Sequence, residues 1–267
     1  MNDPQSPANI RPVSSSEKFE IPFDTVDLPS RGLAYPKDSY LHGKTELEVH
    51  YLTAIHEDIL TSPNLIKSGK MVPTLLKSVI KDKNFDPDEL ILGDRNTILI
   101  WLRSTGYGSE YPIQVMCSNC GTKFKYEFDL ASLDIATLEE SAGDDGLFSY
   151  DFPITKKTVK FKFMTAKEED RISETVLDRR KKLNSKIDNT MSMRMVEVIR
   201  SIDGNTDREY IRNFINCLPI KDAHAFRKYY QELEPGVIMK QECTCTNCDN
   251  SEEVDVPILA NFFWPEF

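Results

Sequence analysis

Two Cys-x-x-Cys strings constrain this chain more than anything else in it: Cys117-Ser-Asn-Cys120-Gly and Cys245-Thr-Asn-Cys248-Asp. Each stands in front of a strand-like segment, Tyr126-Glu127-Phe128 after the first and Val254-Asp255-Val256 after the second. Two intervening residues let both sulfurs of a turn converge on one ion, and two such turns supply the four thiolates of a tetrahedral zinc site. Gly121 suits a turn that needs positive φ. The alternatives are two structural disulfides or a thioredoxin-like redox pair. The redox pair expects a helix after the motif, and no helical pattern follows either string. A four-thiolate zinc has no open coordination position, so an ion held by Cys117, Cys120, Cys245 and Cys248 is structural, not catalytic.

The chain has 267 residues, 40% hydrophobic and 28% charged, enough for a sizeable core in one large domain or two ordinary ones. No apolar run approaches the roughly 18 residues of a membrane span. The start, Met1-Asn-Asp-Pro-Gln-Ser-Pro7, lacks the basic region and apolar core of a signal peptide. Six Cys without such a signal point to a reducing compartment and to metal. The net charge of −10 argues against a general nucleic-acid binder, whose affinity comes mostly from neutralising phosphates.

Residues 1–20, rich in Pro and Ser, read as a flexible tail, and 21–36 as an ordered extended arm broken by Pro and Gly. The pattern then predicts a strand over 45–52, a helix capped by Thr53, and a helix begun by Ser62-Pro63 that carries Val72, Leu75, Leu76, Val79 and Ile80. A further helix start follows at Asp86-Pro87. Asp94 is expected to cap a helix that Gly106 stops. Strands flank the first Cys pair.

The same order recurs in the second half: a strand over Val159–Met164, Thr165 with Glu168 as a capping box, a long helical stretch, a helix near Thr206, a helix capped by Asp222, then the second Cys pair. Thr165 follows Thr53 by 112 residues, while Cys245 follows Cys117 and Asp222 follows Asp94 by 128, so the second copy holds about 16 extra residues, placed in Lys167–Arg200. The expected fold is therefore α+β: two tandem strand–helices–strand repeats, 21–140 and 141–267, joined through a zinc-ribbon-like site behind an extended N-terminal arm. Coincidence between two α+β segments is the alternative. The most basic spot, Arg179-Arg180-Lys181-Lys182, reads as a solvated helix face, with an acidic partner or a phosphate backbone as alternatives.

Cys217 reads as a small buried hydrophobe among Ile211, Phe214, Ile215 and Leu218; Cys243 could replace Cys245 as a ligand, but Cys-x-Cys matches the first knuckle less well. The four His are scattered, and no nucleotide loop or hydrolase motif appears. The chain ends Asn261-Phe-Phe-Trp-Pro-Glu-Phe267. These aromatics either cover the chain's own core or anchor a partner. Their exit from the strand behind the second knuckle leads us to expect Phe262, Phe263, Trp264 and Phe267 to bind another protein or a second copy.

Several strings, taken in order, resemble the baseplate protein family of T-even-type contractile-tailed bacteriophages: Leu28-Pro-Ser-Arg-Gly-Leu33, Tyr51-Leu-Thr-Ala54 with Glu57-Asp-Ile-Leu60, Ser62-Pro-Asn-Leu-Ile-Lys67, and Phe263-Trp-Pro265. The resemblance implies a non-enzymatic structural or hub-assembly protein of the virion tail, built in the host cytoplasm and contacting other baseplate proteins. It brings no catalytic residues. The competing reading is a zinc-ribbon binder of nucleic acid or the transcription machinery, which needs a basic surface. Glu242, Asp249, Glu252, Glu253 and Asp255 instead make the second knuckle acidic.

Overall fold

The computed structural model describes residues 20–183, 189–256, 258, 262 and 263. The expected tail over 1–20 thus lies, but for Glu20, outside the described residues, as do Trp264 and Phe267. The fold is mixed α+β, with helices packed among small antiparallel sheets.

The described residues open with an antiparallel pair, β1 (Phe23–Asp27) against β2 (Glu46–His50), in which Leu47 and Val49 alternate inward. Thr53 begins α1 (Ala54–Thr61), its amide donating to the His56 ring at 3.0 Å. The single helix expected after Ser62 is two: α2 (Pro63–Lys67) and α3 (Met71–Val79). Gly69, at φ 67°, breaks them apart, because that backbone conformation cannot continue a right-handed helix. Asp86-Pro87 starts only a 3₁₀ turn, Pro87–Glu89. Next come α4 (Leu92–Tyr107), β3 (Glu110–Met116), β4 (Lys123–Asp129) and the short β5 (Ile135–Ala136).

The second half runs β6 (Phe148–Asp151), β7 (Thr158–Phe161), α5 (Ala166–Leu183), α6 (Thr190–Val198), β8 (Ile199–Ile202), α7 (Arg208–Asn216), α8 (Ile220–Leu233), β9 (Gly236–Val237), β10 (Lys240–Thr244) and β11 (Ser251–Asp255). Thr165 and Glu168 form the expected box at the start of α5, the Thr165 amide donating to Glu168 at 3.0 Å. The stretch read as largely helical over Lys167–Arg200 ends instead in β8, which completes the three-stranded sheet β6-β7-β8.

Asp94 and Asp222 do not cap their helices. Those begin earlier, after Ile91 and Pro219, and both carboxylates point across to a neighbouring loop. Asp94 accepts from the Ser30 amide at 3.0 Å, the Ser30 hydroxyl at 2.6 Å and the Tyr35 hydroxyl at 2.7 Å. Asp222 accepts from the Ile154 and Thr155 amides at 2.8 and 2.9 Å and from the Thr155 hydroxyl at 2.9 Å. Each aspartate is fully buried. Burial raises the Asp94 pKa, while Ser30 and Tyr35 oppose the rise. The stop expected at Gly106 falls at Gly108, the C-cap at φ 90°; Gly106 instead lies against the side chain of Leu52.

The halves interlock. Ile91 bridges Thr165, the Leu92 amide donates to Met164 O at 3.0 Å, and β5 pairs with β9. A Cβ on Gly93 would stand 1.8 Å from Pro235 O, so α4 approaches the start of β9 closer than any side chain permits. One cluster of buried apolar side chains extends from Val26 to Phe263 through both halves.

Candidate metal centre

The β3–β4 and β10–β11 hairpins each carry one Cys pair in their connecting turn. The two turns are built alike. Cys117 N donates to Thr122 O at 3.0 Å and Gly121 N to Cys117 O at 3.0 Å; Cys245 N donates to Asn250 O at 2.9 Å and Asp249 N to Cys245 O at 3.0 Å. Gly121 (φ 70°) and Asp249 (φ 54°) hold the left-handed position each turn needs, Asp being among the residues that tolerate it.

These turns bring the four expected ligands together: the Sγ atoms of Cys117, Cys120, Cys245 and Cys248 all lie within 4.8 Å of one another. Two of the cross-knuckle pairs are Cys117–Cys248 at 3.7 Å and Cys120–Cys245 at 3.8 Å. Four sulfurs placed tetrahedrally about 2.3 Å from one zinc stand about 3.8 Å apart, so the spacing fits an ion. It is far from the roughly 2 Å of a disulfide. Cys117 and Cys245 are buried, Cys248 half-buried and Cys120 exposed.

Polar groups converge on the sulfurs. Asn119 Nδ2 donates to Cys248 Sγ at 3.6 Å, Asn247 Nδ2 to Cys120 Sγ at 3.7 Å, and the Asn247 amide to Cys245 Sγ at 3.4 Å. Donors from Thr122 and Asn247 lower the Cys120 pKa to about 6. At Cys245 the Asn247 amide favours the thiolate, but burial and the Cys117 and Cys120 sulfurs prevail and push it up to about 11. Thiolates this close repel one another, a conflict a divalent cation relieves. The Ser118 amide donates to Glu252 at 3.0 Å, and its hydroxyl reaches the same carboxylate. Tyr126 OH donates to Glu242 O at 3.0 Å, and Gln241 Nε2 to Asp129 O at 2.7 Å. The hairpins are thus fastened along their length as well as at the tips.

Cys243 is buried but stands outside the four-sulfur cluster, on β10 opposite Glu252 of β11. Its counterpart by the 128-residue offset, Val115, is buried too, so Cys243 fills an apolar position. Cys217, expected to be buried, is exposed. It follows α7 as its C-cap, and Ile211 and Ile215 define a buried face from which a position two residues on is turned away.

The expectation that Phe262 and Phe263 bind a partner needs correction. They are only 1% and 2% exposed. Phe262 meets Tyr111 edge-on at 5.3 Å, Phe263 meets Phe262 at 5.2 Å, and Arg103 Nε donates to Phe262 O at 2.8 Å. The same guanidinium bonds to Glu110 O at 2.8 Å and to Gly108 O. Backbone carbonyls thereby satisfy a buried cation and hold Phe262 against α4 and β3. The basic spot Arg179–Lys182 falls on α5, with its side chains outside the described residues.

Sequence reasoning missed Asn119, Asn247 and Arg103. The two asparagines left a signal, since each precedes the second Cys of its pair; Arg103 left none.

The sequence model for the T4 bacteriophage base plate protein family matches residues 44–264. Searches of curated proteins and of solved structures found no match.

Proposed function

Because the chain belongs to the T4 bacteriophage base plate protein family, we propose that it is a structural or assembly component of the contractile tail's baseplate hub, braced by a structural zinc. Membership carries the coarser part: a structural role in the phage baseplate, a place in the virion tail, and contacts with other tail proteins. The finer part is our reading. The chain works by protein–protein contacts and not as an enzyme, is assembled in the host cytoplasm, and has the capacity to self-associate. Net charge −10 and the acidic residues of β10 and β11 weigh against nucleic acid as its ligand. Among the described residues no helix is long and apolar enough to cross a membrane, and the reading includes no membrane partner.

Zinc is the ion we assign to Cys117, Cys120, Cys245 and Cys248. The observation that carries it is the mutual approach of four thiols from two elements 128 residues apart. We also read 21–140 and 141–267 as tandem repeats joined at the metal. Three paired features support this. Val49 meets Ile80 as Phe161 meets Ile199. Asp94 holds Ser30 as Asp222 holds Thr155. The two Cys turns share their backbone bonds.

The test is quantitative mass spectrometry and cryo-electron microscopy of purified tails and hub subassemblies. Density for the chain in the hub, or its enrichment in hub intermediates, is the expected result. A chain confined to the baseplate periphery overturns the hub assignment, and one that travels with nucleic acid and no tail assembly overturns the whole reading.

A further inference from the structure

The cross-knuckle asparagine contacts are not needed to build either turn. Each turn is already closed by its own backbone bonds, Gly121 to Cys117 in one and Asp249 to Cys245 in the other. Asn119 and Asn247 each direct a side-chain amide at a sulfur of the opposite turn, joining positions 129 and 127 apart in sequence. The arrangement is reciprocal: the first knuckle braces Cys248 and the second braces Cys120. Asn247 Nδ2 also lies 3.3 Å from Thr122 Oγ1, which fixes the amide's orientation.

We propose that Asn119 and Asn247 are positioning residues of the metal centre, each orienting a cysteine of the opposite knuckle and drawing charge from its thiolate, so that the two knuckles close on the ion as one unit. This rests on the reading of the four cysteines as metal ligands. Four thiolates bring four negative charges to a divalent cation, leaving a net charge of −2 that neutral N–H donors share. The site favours an amide over other groups of similar size. Asp is isosteric but places a further negative charge against sulfur, and Ser or Thr has too short a reach for the opposite turn. Outer-shell partners of this kind typically contribute 10–100-fold to metal affinity. Because each brace crosses between knuckles, neither half alone possesses the completed site.

The experiment uses the full chain, stripped of metal and titrated with Co²⁺, then with Zn²⁺ in competition. It compares the wild type with Asn119→Ala, Asn247→Ala, Asn119→Asp and Asn247→Asp. Each Ala variant is expected to lose about 10-fold in affinity, with the sulfur-to-cobalt charge-transfer band moved to lower energy as the thiolate loses a donor. The Asp variants, which keep the shape and lose the donor, are expected to lose more than the Ala variants. A packing role alone would leave the Asp variants like wild type and the band unmoved. Affinities within about twofold of wild type with an unshifted band in all four variants overturn the proposal, being well short of the outer-shell effect. Should an Ala variant fold poorly, the isosteric Asp variants still decide the matter. A wild-type chain that takes up neither ion overturns the metal reading and this proposal with it; a wild type that binds while its variants match it overturns the proposal alone.

Discussion

Arg103 donates its Nε to the carbonyl oxygen of Phe262 across 2.8 Å, joining residues 159 apart in the chain. The contact makes Phe262 part of the first half's packing. It also explains why Phe262 and Phe263 are buried and not presented to a partner.

Loss of this anchor should destabilise the fold. Phe262→Ala is expected to cost about 3–5 kcal/mol by cavity formation. Arg103→Met, which leaves Phe262 O, Gly108 O and Glu110 O without their donor, should cost about 3 kcal/mol or more. Denaturant unfolding checks both. A midpoint unchanged from wild type would return the aromatics to the surface.

The buried aspartates should behave as a matched pair. Asp94→Ala strands the Ser30 amide and hydroxyl and the Tyr35 hydroxyl, and Asp222→Ala strands the Ile154 and Thr155 amides and the Thr155 hydroxyl. Each substitution is expected to cost about 3 kcal/mol in thermal or denaturant unfolding. A cost below about 0.5 kcal/mol for either would show that its loop is held by other contacts.

Stability should fall as pH rises towards 7 because of Glu234. Burial raises its pKa to about 7, and Glu169 adds to the rise, while Tyr230 and Arg194 oppose it. Since the folded value lies above the unfolded one, the protonated group's contribution is complete below about 4.5 and is lost as pH passes through about 7. Glu234→Gln should therefore match wild type near pH 4 and exceed it by about 1–3 kcal/mol near pH 8. Equal differences at both pH values would place the carboxyl in water.

Cysteine substitutions should separate ligands from filler. Cys243→Val is expected to retain metal and nearly all stability, since Val115 already occupies the equivalent place. Cys245→Ser should lose stoichiometric metal. Metal analysis of the two purified variants checks this, and metal lost from Cys243→Val would put that sulfur in the coordination sphere.

Much of this was legible in the sequence, for local reasons. The Cys-x-x-Cys strings, the Thr165–Glu168 box and the alternation of Leu47 and Val49 act within a few residues, and their physics is set by spacing. What escaped depended on distant partners. An Asp near a helix start looks like a cap until Ser30 is seen beside Asp94. Phe262 and Phe263 look like anchors until Arg103 is seen holding the backbone at Phe262. Cys217 has apolar neighbours in sequence, yet as the C-cap of α7 it is exposed. Gly69 and Gly108, at positive φ, set the helix ends more firmly than the hydrophobic pattern indicated.

The central claim is that one zinc, held by Cys117 and Cys120 from one hairpin and by Cys245 and Cys248 from the other, joins the two halves of a baseplate protein. X-ray absorption at the zinc edge, on chain purified with its metal quantified, tests it most directly. The account predicts one zinc per chain with four sulfur neighbours at about 2.3 Å and no nitrogen or oxygen in the first shell. A chain without stoichiometric metal, or a spectrum requiring nitrogen or oxygen ligands, would contradict it.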